Sequence, residues 1–186
     1  METVKEKQYK CGLILGRFQP IHKGHLSLIL LALSKCDKII IAVGSAQASR
    51  TERNPLSYEE RYNMIYDALK MIDCHKNAII IPIKDREVYS DDASFGEYLM
   101  EEIKKQNIEL PDVIIEGEEV VRSTWYETLD IAKLKISRSC IPVSASAIRR
   151  ALIEDNQDFI KEFGVAGIYK HYELTGEILK CLNQNL

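Results

Sequence analysis

The chain has 186 residues, of which 46% are hydrophobic and 28% are charged, proportions typical of a soluble globular protein that buries a core. Its 25 Lys and Arg residues against 28 Asp and Glu residues give a net charge of -3, which argues against a protein whose main partner is the nucleic-acid backbone. No apolar run reaches the roughly 20 residues that a membrane span requires, and the charged N-terminal segment lacks the apolar core of a signal peptide.

The first half of the chain alternates apolar runs with helical patterns. In chain order, the predicted elements are a strand over 10–16, a helix over 26–34, a strand over 38–44, a helix over 57–71 and a strand over 78–83. Glycine closes the first two strands, and Ser57-Tyr-Glu-Glu60 fits a capping box at the start of the second helix.

The second half continues this alternation and ends in helices. The predicted elements are a helix over 95–106, a strand over 111–115, a short helix over 120–129, a weaker strand over 133–137 and helical structure from 144 onward, with breaks near Gly164 and Gly167. Strands that alternate with helices predict a parallel sheet with right-handed crossovers. We expect one α/β domain over 1–186, a doubly wound Rossmann-like sheet with its core at about 11–152 and C-terminal helices at about 157–186.

Polar residues concentrate in the loop between the first strand and the first helix, Gly16-Arg-Phe-Gln-Pro-Ile-His-Lys-Gly-His25. Gly16 lets the backbone turn and approach a ligand closely. A helix N-terminus at this place offers free N–H groups and the positive end of a dipole. His22 and His25, three residues apart, fall on one side of the first turn, with Arg17 close in sequence. The loop therefore predicts an anion site at the carboxyl end of the first strand.

Two other interpretations of this loop are open. One is a solvated polar turn with structural histidines. The other is a metal site built on His22 and His25, but the sequence offers no convincing third ligand, and helical metal pairs usually have i,i+4 spacing. The loop is neither a Walker A motif nor a GxGxxG motif, and its density of special residues favours phosphate binding.

The decapeptide GRFQPIHKGH resembles the HxGH signature of the nucleotidyltransferase superfamily, and its longer form is similar to nicotinamide-nucleotide adenylyltransferases of the archaeal type. Two further segments match in the same order. Gly44-Ser-Ala-Gln47 with the stretch 53–61, RNPLSYEER, resembles the family's GSAQ and NPFTxxER motifs. The stretch 142–149, PVSASAIR, resembles its ISxTxIR signature, with Val143 for Ile and Ser146 for Thr. The resemblance covers about residues 12–152.

The second signature also has a physical basis. Ser144 is a good N-cap after Pro142, and Ser146 lies in the first turn of the predicted helix. Arg149 lies about one turn into that helix, from where it can reach a phosphate near the helix start. Taken alone, the segment fits an ordinary capped surface helix equally well.

The resemblance implies a reaction in which the 5′-phosphate of a mononucleotide attacks the α-phosphorus of ATP and pyrophosphate leaves. It implies that the catalytic residues are His25, His22, Arg17 and Arg149. It implies that the other ATP-binding residues are Gly16, Phe18, Gln19, Gly24, Gly117, Ser144 and Ser146. It implies that the mononucleotide-binding residues are Gly44, Ser45, Arg53, Asn54, Asp85 and Phe95. It also implies Mg²⁺ that bridges phosphates, with few protein ligands.

The substrate itself is less well specified than the chemistry. Phe95 is the best match for the aromatic that stacks on nicotinamide, but Tyr89 or Trp125 could serve, and Glu118 stands where the family has asparagine. The acceptor is nicotinamide mononucleotide or its nicotinic acid form. The alternatives are another acceptor (pantetheine phosphate, FMN, or an alcohol phosphate used with CTP) and a nucleotide-binding sensor without turnover.

Cysteine usage bears on the compartment. The five cysteines are odd in number and far apart, with no CxxC spacing, so free thiols in a reducing cytosol explain them better than a disulfide framework. We expect a cytoplasmic homo-oligomer that binds ATP and a mononucleotide, and neither nucleic acid nor a membrane.

Overall fold

The computed structural model describes residues 7–86, 93–118, 125–137 and 141–184. Its strands are β1 (Tyr9–Gly16), β2 (Cys36–Val43), β3 (Ala78–Pro82), β4 (Val113–Gly117) and β5 (Ala132–Ile136). Its helices are α1 (Lys23–Leu33), α2 (Tyr58–Met71), α3 (Ala93–Lys105), α4 (Ala145–Ile153), α5 (Gln157–Phe163), α6 (Ala166–Lys170) and α7 (Tyr172–Gln184), with a short 3-10 helix (His75–Asn77) before β3. None of the helices in this part of the chain combines the length and apolar character needed to cross a membrane.

The strands form one parallel sheet in the order β3-β2-β1-β4-β5. In the central strand β1, Leu13 pairs with Ile40 of β2 on one side and with Ile114 of β4 on the other. Strand order reverses between β1 and β4, and in doubly wound sheets the loops diverge at such a point and leave a crevice for a ligand. The predicted doubly wound parallel sheet is confirmed.

Both faces of the sheet are buried, because the strands place apolar side chains on alternate sides. In β2, Ile39 and Ile41 belong to one core cluster, and Ile40 between them belongs to the other. The first cluster includes Ile29 of α1, and the second includes Leu99 of α3. Helices therefore cover both faces, as apolar strands of a parallel sheet require.

Helix α1 begins three residues before its predicted start. His22 is the N-cap, with an extended backbone (φ -149°), and the first helical hydrogen bond runs from the Leu26 N–H to the His22 carbonyl over 3.0 Å. The prediction followed the apolar periodicity, which starts only at Leu26, whereas the first turn carries polar residues that periodicity does not detect. The capping box of α2 is confirmed, with Ser57 and Glu60 bonded reciprocally.

Not all breaks between the C-terminal helices lie where the sequence predicts them. The first break is at Asp155, which has a positive φ of 54°, followed by Asn156, whose side chain caps α5. The break near Gly164 is confirmed, because this residue is the C-cap of α5. The predicted break at Gly167 is wrong: Gly167 lies inside α6, where a Cβ atom would come within 2.1 Å of the Met64 carbonyl oxygen of α2. This glycine permits close helix packing and does not end a helix.

The predicted short helix over 120–129 is wrong for its described part. Residues 125–129 form turns, with one hydrogen bond from Leu129 to the Tyr126 carbonyl, and residues 120–124 lie outside the described residues. The turn packs closely on α3, since a Cβ atom on Gly96 would come within 2.4 Å of the Trp125 carbonyl oxygen. Aromatic residues have moderate helix propensity, and here their packing on the neighbouring helix decides the backbone path.

Candidate active site

The N-termini of α1 and α4 converge on one another, and we call the region between them the cleft. A Cβ atom on Gly24, in the first turn of α1, would lie 3.3 Å from Val143, which directly precedes the N-cap of α4. The Arg149 guanidinium of α4 donates from Nη1 to the Gln19 carbonyl over 2.9 Å and from Nη2 to the Ser146 hydroxyl over 3.1 Å. The two sequence motifs, more than 100 residues apart in the chain, therefore belong to one site.

The two histidines of the first motif lie side by side. The rings of His22 and His25 stack with their centroids 3.8 Å apart. The His25 ring also contacts the Phe18 ring, at a centroid distance of 4.8 Å. His22 is 1% exposed, whereas His25 is partly exposed. Gly24 leaves room for this stack, since a Cβ atom there would lie 3.1 Å from the His22 ring. The buried histidine thus supports the one that faces the cleft, and no group of three or more potential metal-ligating His, Cys, Asp or Glu side chains occurs within the described residues.

Three arginines gather at the same cleft. Arg17 donates to the Arg53 carbonyl over 3.4 Å. Partial burial and the neighbouring charge of Arg53 lower the pKa of Arg17. Partial burial and the charge of Arg17 likewise lower the pKa of Arg149, against an opposing effect of Glu52. Positive charges that depress one another's pKa in this way create a potential that an anion would relieve.

The serines of the second motif serve the α4 terminus. Ser144 is the N-cap, and its hydroxyl accepts from the Ala147 N–H over 3.2 Å. Ser146 accepts from Arg149, as described above. Both serines are exposed, so they lie at the surface of the cleft.

The loop before α1 is held in place from two sides. The Gln19 side-chain amide donates to the Leu56 carbonyl and accepts from the Leu56 N–H, each over 2.9 Å. Lys23 donates to the carbonyls of Lys161 and Glu162 at the end of α5. Gln19, predicted as an ATP-binding residue, thus has both groups of its side chain bound to the protein backbone, and it shapes the loop.

Arg61 is a structural centre of the site. It is fully buried, and its guanidinium donates to four backbone carbonyls: those of Ser57, Arg17, Gly44 and Ser45, over 2.7–3.1 Å. Burial lowers its pKa to about 10, so the group remains protonated at neutral pH. Arg61 therefore fixes the ends of β1 and β2 relative to one another and adds a positive charge beneath the cleft.

The sequence contained a signal for Arg61 that the site prediction did not use. In α2, Arg61 precedes Met64, Ile65 and Ala68, which are all buried on the same helix face. A charged residue in an apolar i, i+3, i+4, i+7 pattern must find polar partners inside the protein. Such a position indicates a buried structural or functional role even without knowledge of the fold.

A cavity of about 190 Å³ opens between the ends of β1 and β4. Apart from aliphatic residues, its lining consists of Gly16, Phe18, His25, Glu116, Gly117 and Trp125. The structure thus brings together four residues predicted for the ATP site and two, Glu116 and Trp125, that were not included in that prediction. The strand end was the available signal for Glu116, because it is a charged residue that ends a buried apolar run.

The predicted mononucleotide side lies at the ends of β2 and β3. Asp85 accepts hydrogen bonds from the Ser45 hydroxyl and the Gln47 side-chain amide, each over 3.0 Å. Gly44 joins this region to β1 through a 2.9 Å hydrogen bond from its N–H to the Gly16 carbonyl. Asn54 is 7% exposed, and its Oδ1 has no hydrogen-bond partner within the part of the chain that the structure describes.

Phe95 lies in α3 and packs against the second core cluster. Its ring is 6.1 Å from that of Trp125 and perpendicular to it, and 5.8 Å from that of Tyr98. Trp125 lines the cavity, whereas Phe95 reaches it only through Trp125. Of the aromatics predicted to cover the nicotinamide ring, Trp125 is thus the described one that lines this cavity, and Tyr89 lies outside the described residues.

Comparisons with known proteins agree with this geometry. The family model for cytidylyltransferase-like proteins matches residues 13–156. A nicotinamide-nucleotide adenylyltransferase of Thermococcus onnurineus is 32% identical over 146 residues, which cover 78% of this chain and 73% of that protein. Its counterpart in Thermococcus kodakarensis is 33% identical over 147 residues, with the same coverage of 78% and 73%.

A solved structure has the same fold. The crystal structure of a bifunctional NMN adenylyltransferase/ADP ribose pyrophosphatase from Francisella tularensis, in complex with AMP and a manganese ion, superposes with a TM-score of 0.63 at 24% identity. The match covers 78% of this chain and 42% of the larger protein. The chain belongs to the cytidylyltransferase-like family and, within it, to the nicotinamide-nucleotide adenylyltransferases.

Proposed function

We propose that the protein transfers the adenylyl group of ATP to nicotinamide mononucleotide and releases NAD and pyrophosphate. The observation that carries this proposal is the hydrogen bond from Arg149 to the Gln19 carbonyl, because it joins the second motif to the loop of the first. The sequence relatives named for this activity support the choice of acceptor. The nicotinic acid form of the mononucleotide is a second acceptor to be tested.

The reaction requires positioning more than it requires a reactive side chain. A phosphate oxygen of the mononucleotide attacks the α-phosphorus of ATP, the new P–O bond forms, and the bond to the β-phosphate breaks as pyrophosphate leaves. Since that oxygen is already ionised near neutral pH, the protein needs neither a nucleophilic Ser or Cys nor a strong base. Its task is to hold two polyanions in line, and such positioning can supply ~7–11 kcal/mol of the barrier in favourable cases.

The residues of the cleft divide this task between them. We assign to His25 the α-phosphate, because it lines the cavity and is partly exposed. His22 supports His25 from below through the stacked rings. Arg149 and Arg17 bind the β- and γ-phosphates, with Arg53 beside them in the same positive region. Fixed donors that face developing charge contribute a few kcal/mol each.

The backbone groups of the two helix termini complete the ATP site. The N-terminal turn of α1 includes Gly24, and that of α4 follows Ser144, and helix N-termini present backbone N–H groups and the positive end of a dipole to an anion. Gly16 and Gly117 leave space for the ligand in the wall of the cavity. Ser146 acts on the ligand through Arg149.

A divalent metal ion belongs to this chemistry, and we propose that it is Mg²⁺. The cluster of arginines can bind phosphate oxygens, and the same phosphate oxygens would coordinate the ion. When bound, the ion neutralises phosphate charge.

We place the mononucleotide at the ends of β2 and β3. Asp85, oriented by Ser45 and Gln47, is available to bind the nucleoside part, and Gly44 allows close approach of the backbone. Asn54 offers a buried acceptor, Oδ1, near Arg53. We further propose that the protein is a cytoplasmic homo-oligomer, for which the free thiols of Cys11, Cys36 and Cys74 and the family resemblance are the support.

One assay separates the candidate functions. The protein is incubated with ATP, Mg²⁺ and, separately, NMN, nicotinic acid mononucleotide, pantetheine phosphate or FMN, and pyrophosphate release is measured together with the dinucleotide product. We expect turnover with NMN and the formation of NAD. Turnover with pantetheine phosphate or FMN but not with NMN would overturn the acceptor, and binding of ATP and NMN with no product over hours would indicate a sensor.

A further inference from the structure

One acidic side chain faces a cavity whose other ligand-binding groups are positive or neutral. Glu116 is the residue before the last in β4, and it lines the cavity together with His25 and Trp125. Its side chain is 13% exposed. The negative charge of such a carboxylate opposes direct contact with a phosphate group. An acid at this place requires another explanation.

Glu116 is held in a fixed position by two residues that do not line the cavity. The Tyr126 hydroxyl donates to its Oε1, and Lys135, its register partner in β5, approaches the same oxygen at 3.5 Å. Burial and the hydrogen bond to Glu116 raise the pKa of Tyr126 to about 12, so that this hydroxyl keeps its proton and remains the donor. Both described contacts are on Oε1. The carboxylate is therefore oriented in advance, as an acceptor.

The size and lining of the cavity suit a single ring. Its volume of about 190 Å³ is below the roughly 300–1,000 Å³ of sites that enclose a whole drug-sized ligand. Trp125 contributes an aromatic side chain that Phe95 and Tyr126 fix through perpendicular contacts at 6.1 and 4.9 Å. Aromatic walls with a few polar groups are typical of sites that bind a planar heterocycle.

We propose that Glu116 makes this cavity a subsite for a planar heterocycle whose substituent donates an N–H group, and that it rejects a ring with a carboxylate or carbonyl oxygen at that position. The proposal rests on the proposed function, whose two substrates each carry such a donor: the carboxamide of NMN and the amino group of adenine. A carboxylate accepts from either donor, but it repels nicotinic acid or the oxo group of inosine. Glu116 thereby determines specificity without taking part in phosphoryl chemistry.

The selectivity can be measured without turnover. Trp125 is the single tryptophan of the chain, so its fluorescence reports on this cavity directly. The protein is titrated with NMN, nicotinic acid mononucleotide, ATP and inosine triphosphate, and the Kd values are compared. We expect a ratio of about tenfold or more within one pair, the range that one buried hydrogen bond to a charged group supplies.

The matched variants are Glu116→Gln and Asp130→Asn, which remove one negative charge each, the second from an exposed position before β5. If the ring is nicotinamide, Glu116→Gln reduces the preference for NMN over its acid form about tenfold and leaves the ATP to inosine triphosphate ratio unchanged. If the ring is adenine, Glu116→Gln reduces the preference for ATP over inosine triphosphate about tenfold and leaves the ratio of NMN to its acid form unchanged. Asp130→Asn should change neither ratio.

Three results would overturn the proposal: no response of Trp125 to any ligand, no preference within either pair, or equal ratios for the wild type and Glu116→Gln. Because these measurements record binding, they are independent of catalysis. A protein that shows the preference but makes no dinucleotide would refute the proposed function and retain the subsite, whereas an active enzyme with unaltered ratios would do the opposite.

Discussion

The N-termini of α1 and α4 face the same cleft, but they are held there in different ways. The α1 terminus is held by buried contacts. His22 is 1% exposed, and Gln19 is 2% exposed and forms two hydrogen bonds with Leu56. Arg61 donates to the backbone carbonyls of Arg17 and Gly44, at the ends of β1 and β2. The α4 terminus presents two exposed serines and is joined to the loop by the guanidinium of Arg149. One terminus is thus built into the core and the other is attached to it.

This difference predicts how each terminus contributes. A group fixed by the core can be aligned before the substrate arrives, and alignment of this kind mainly affects the rate of the chemical step. An arginine that itself forms the attachment must hold both the loop and the ligand, so its loss weakens binding as well. The substitutions below test this division.

The largest effect is expected from Arg61→Met. The substitution leaves the carbonyls of Arg17, Gly44 and Ser45 without their buried donor, and each unsatisfied group costs about 1–3 kcal/mol. We expect the free energy of unfolding in urea to fall by about 3 kcal/mol or more. Arg150→Met, an exposed position on α4, is the control and should stay within about 0.5 kcal/mol of the wild type. Equal stability of the two variants would remove Arg61 from its structural role.

The next effect is on catalysis. His25→Ala should lower kcat about 10²-fold or more while ATP still binds, because one donor to the transition state is lost. His75→Ala, at the 3-10 helix far from both motifs in sequence, is the matched control. Single-turnover kinetics with a separate ATP titration measure the two quantities. An unchanged kcat would contradict the assignment of the α-phosphate to His25.

Arg149→Ala tests the attached terminus. We expect a weakening of ATP binding and of turnover together, each by about tenfold or more, since a charged hydrogen bond is worth about 1.5–3 kcal/mol. Arg149→Lys keeps the charge but cannot bond to Gln19 and Ser146 in the same bidentate way, so it should restore only part of the loss. Unaltered ATP affinity in Arg149→Ala would show that the second motif does not bind the triphosphate.

Particular elements show how much of the fold could be predicted from the sequence. Local patterns were sufficient for the strands, for the capping box at Ser57 and for the motif loops, because these depend on residues close together in the chain. The prediction at Gly167 was wrong because the role of this glycine depends on Met64, more than 100 residues away in the chain. Taken by itself, a glycine indicates a helix break.

The site follows the same rule. The residues that we propose bind phosphate were predicted through contiguous motifs, whereas Glu116 and Trp125 became visible only when β4 and the turn after it were placed beside β1. Phe95 and Trp125 could not be ranked from spacing, because the two rings come from different elements and only their packing shows which one reaches the cavity.

The smallest effect is expected at Ser144, and it distinguishes a helix cap from a ligand contact. The Ser144 hydroxyl accepts from the Ala147 N–H, so Ser144→Ala should lower the free energy of unfolding by about 1 kcal/mol, whereas Ser144→Gly should cost only a few tenths. Urea denaturation measures both.

ATP affinity should follow the same order: Ser144→Ala should bind ATP more weakly than Ser144→Gly, because the hydroxyl acts by ordering the turn that leads to Arg149. A hydroxyl that binds phosphate directly would be lost equally in both variants. Equal weakening by alanine and glycine would therefore mean that the α4 terminus, like the α1 terminus, contacts the ligand with a side chain at its start, and the contrast between the two termini would not hold.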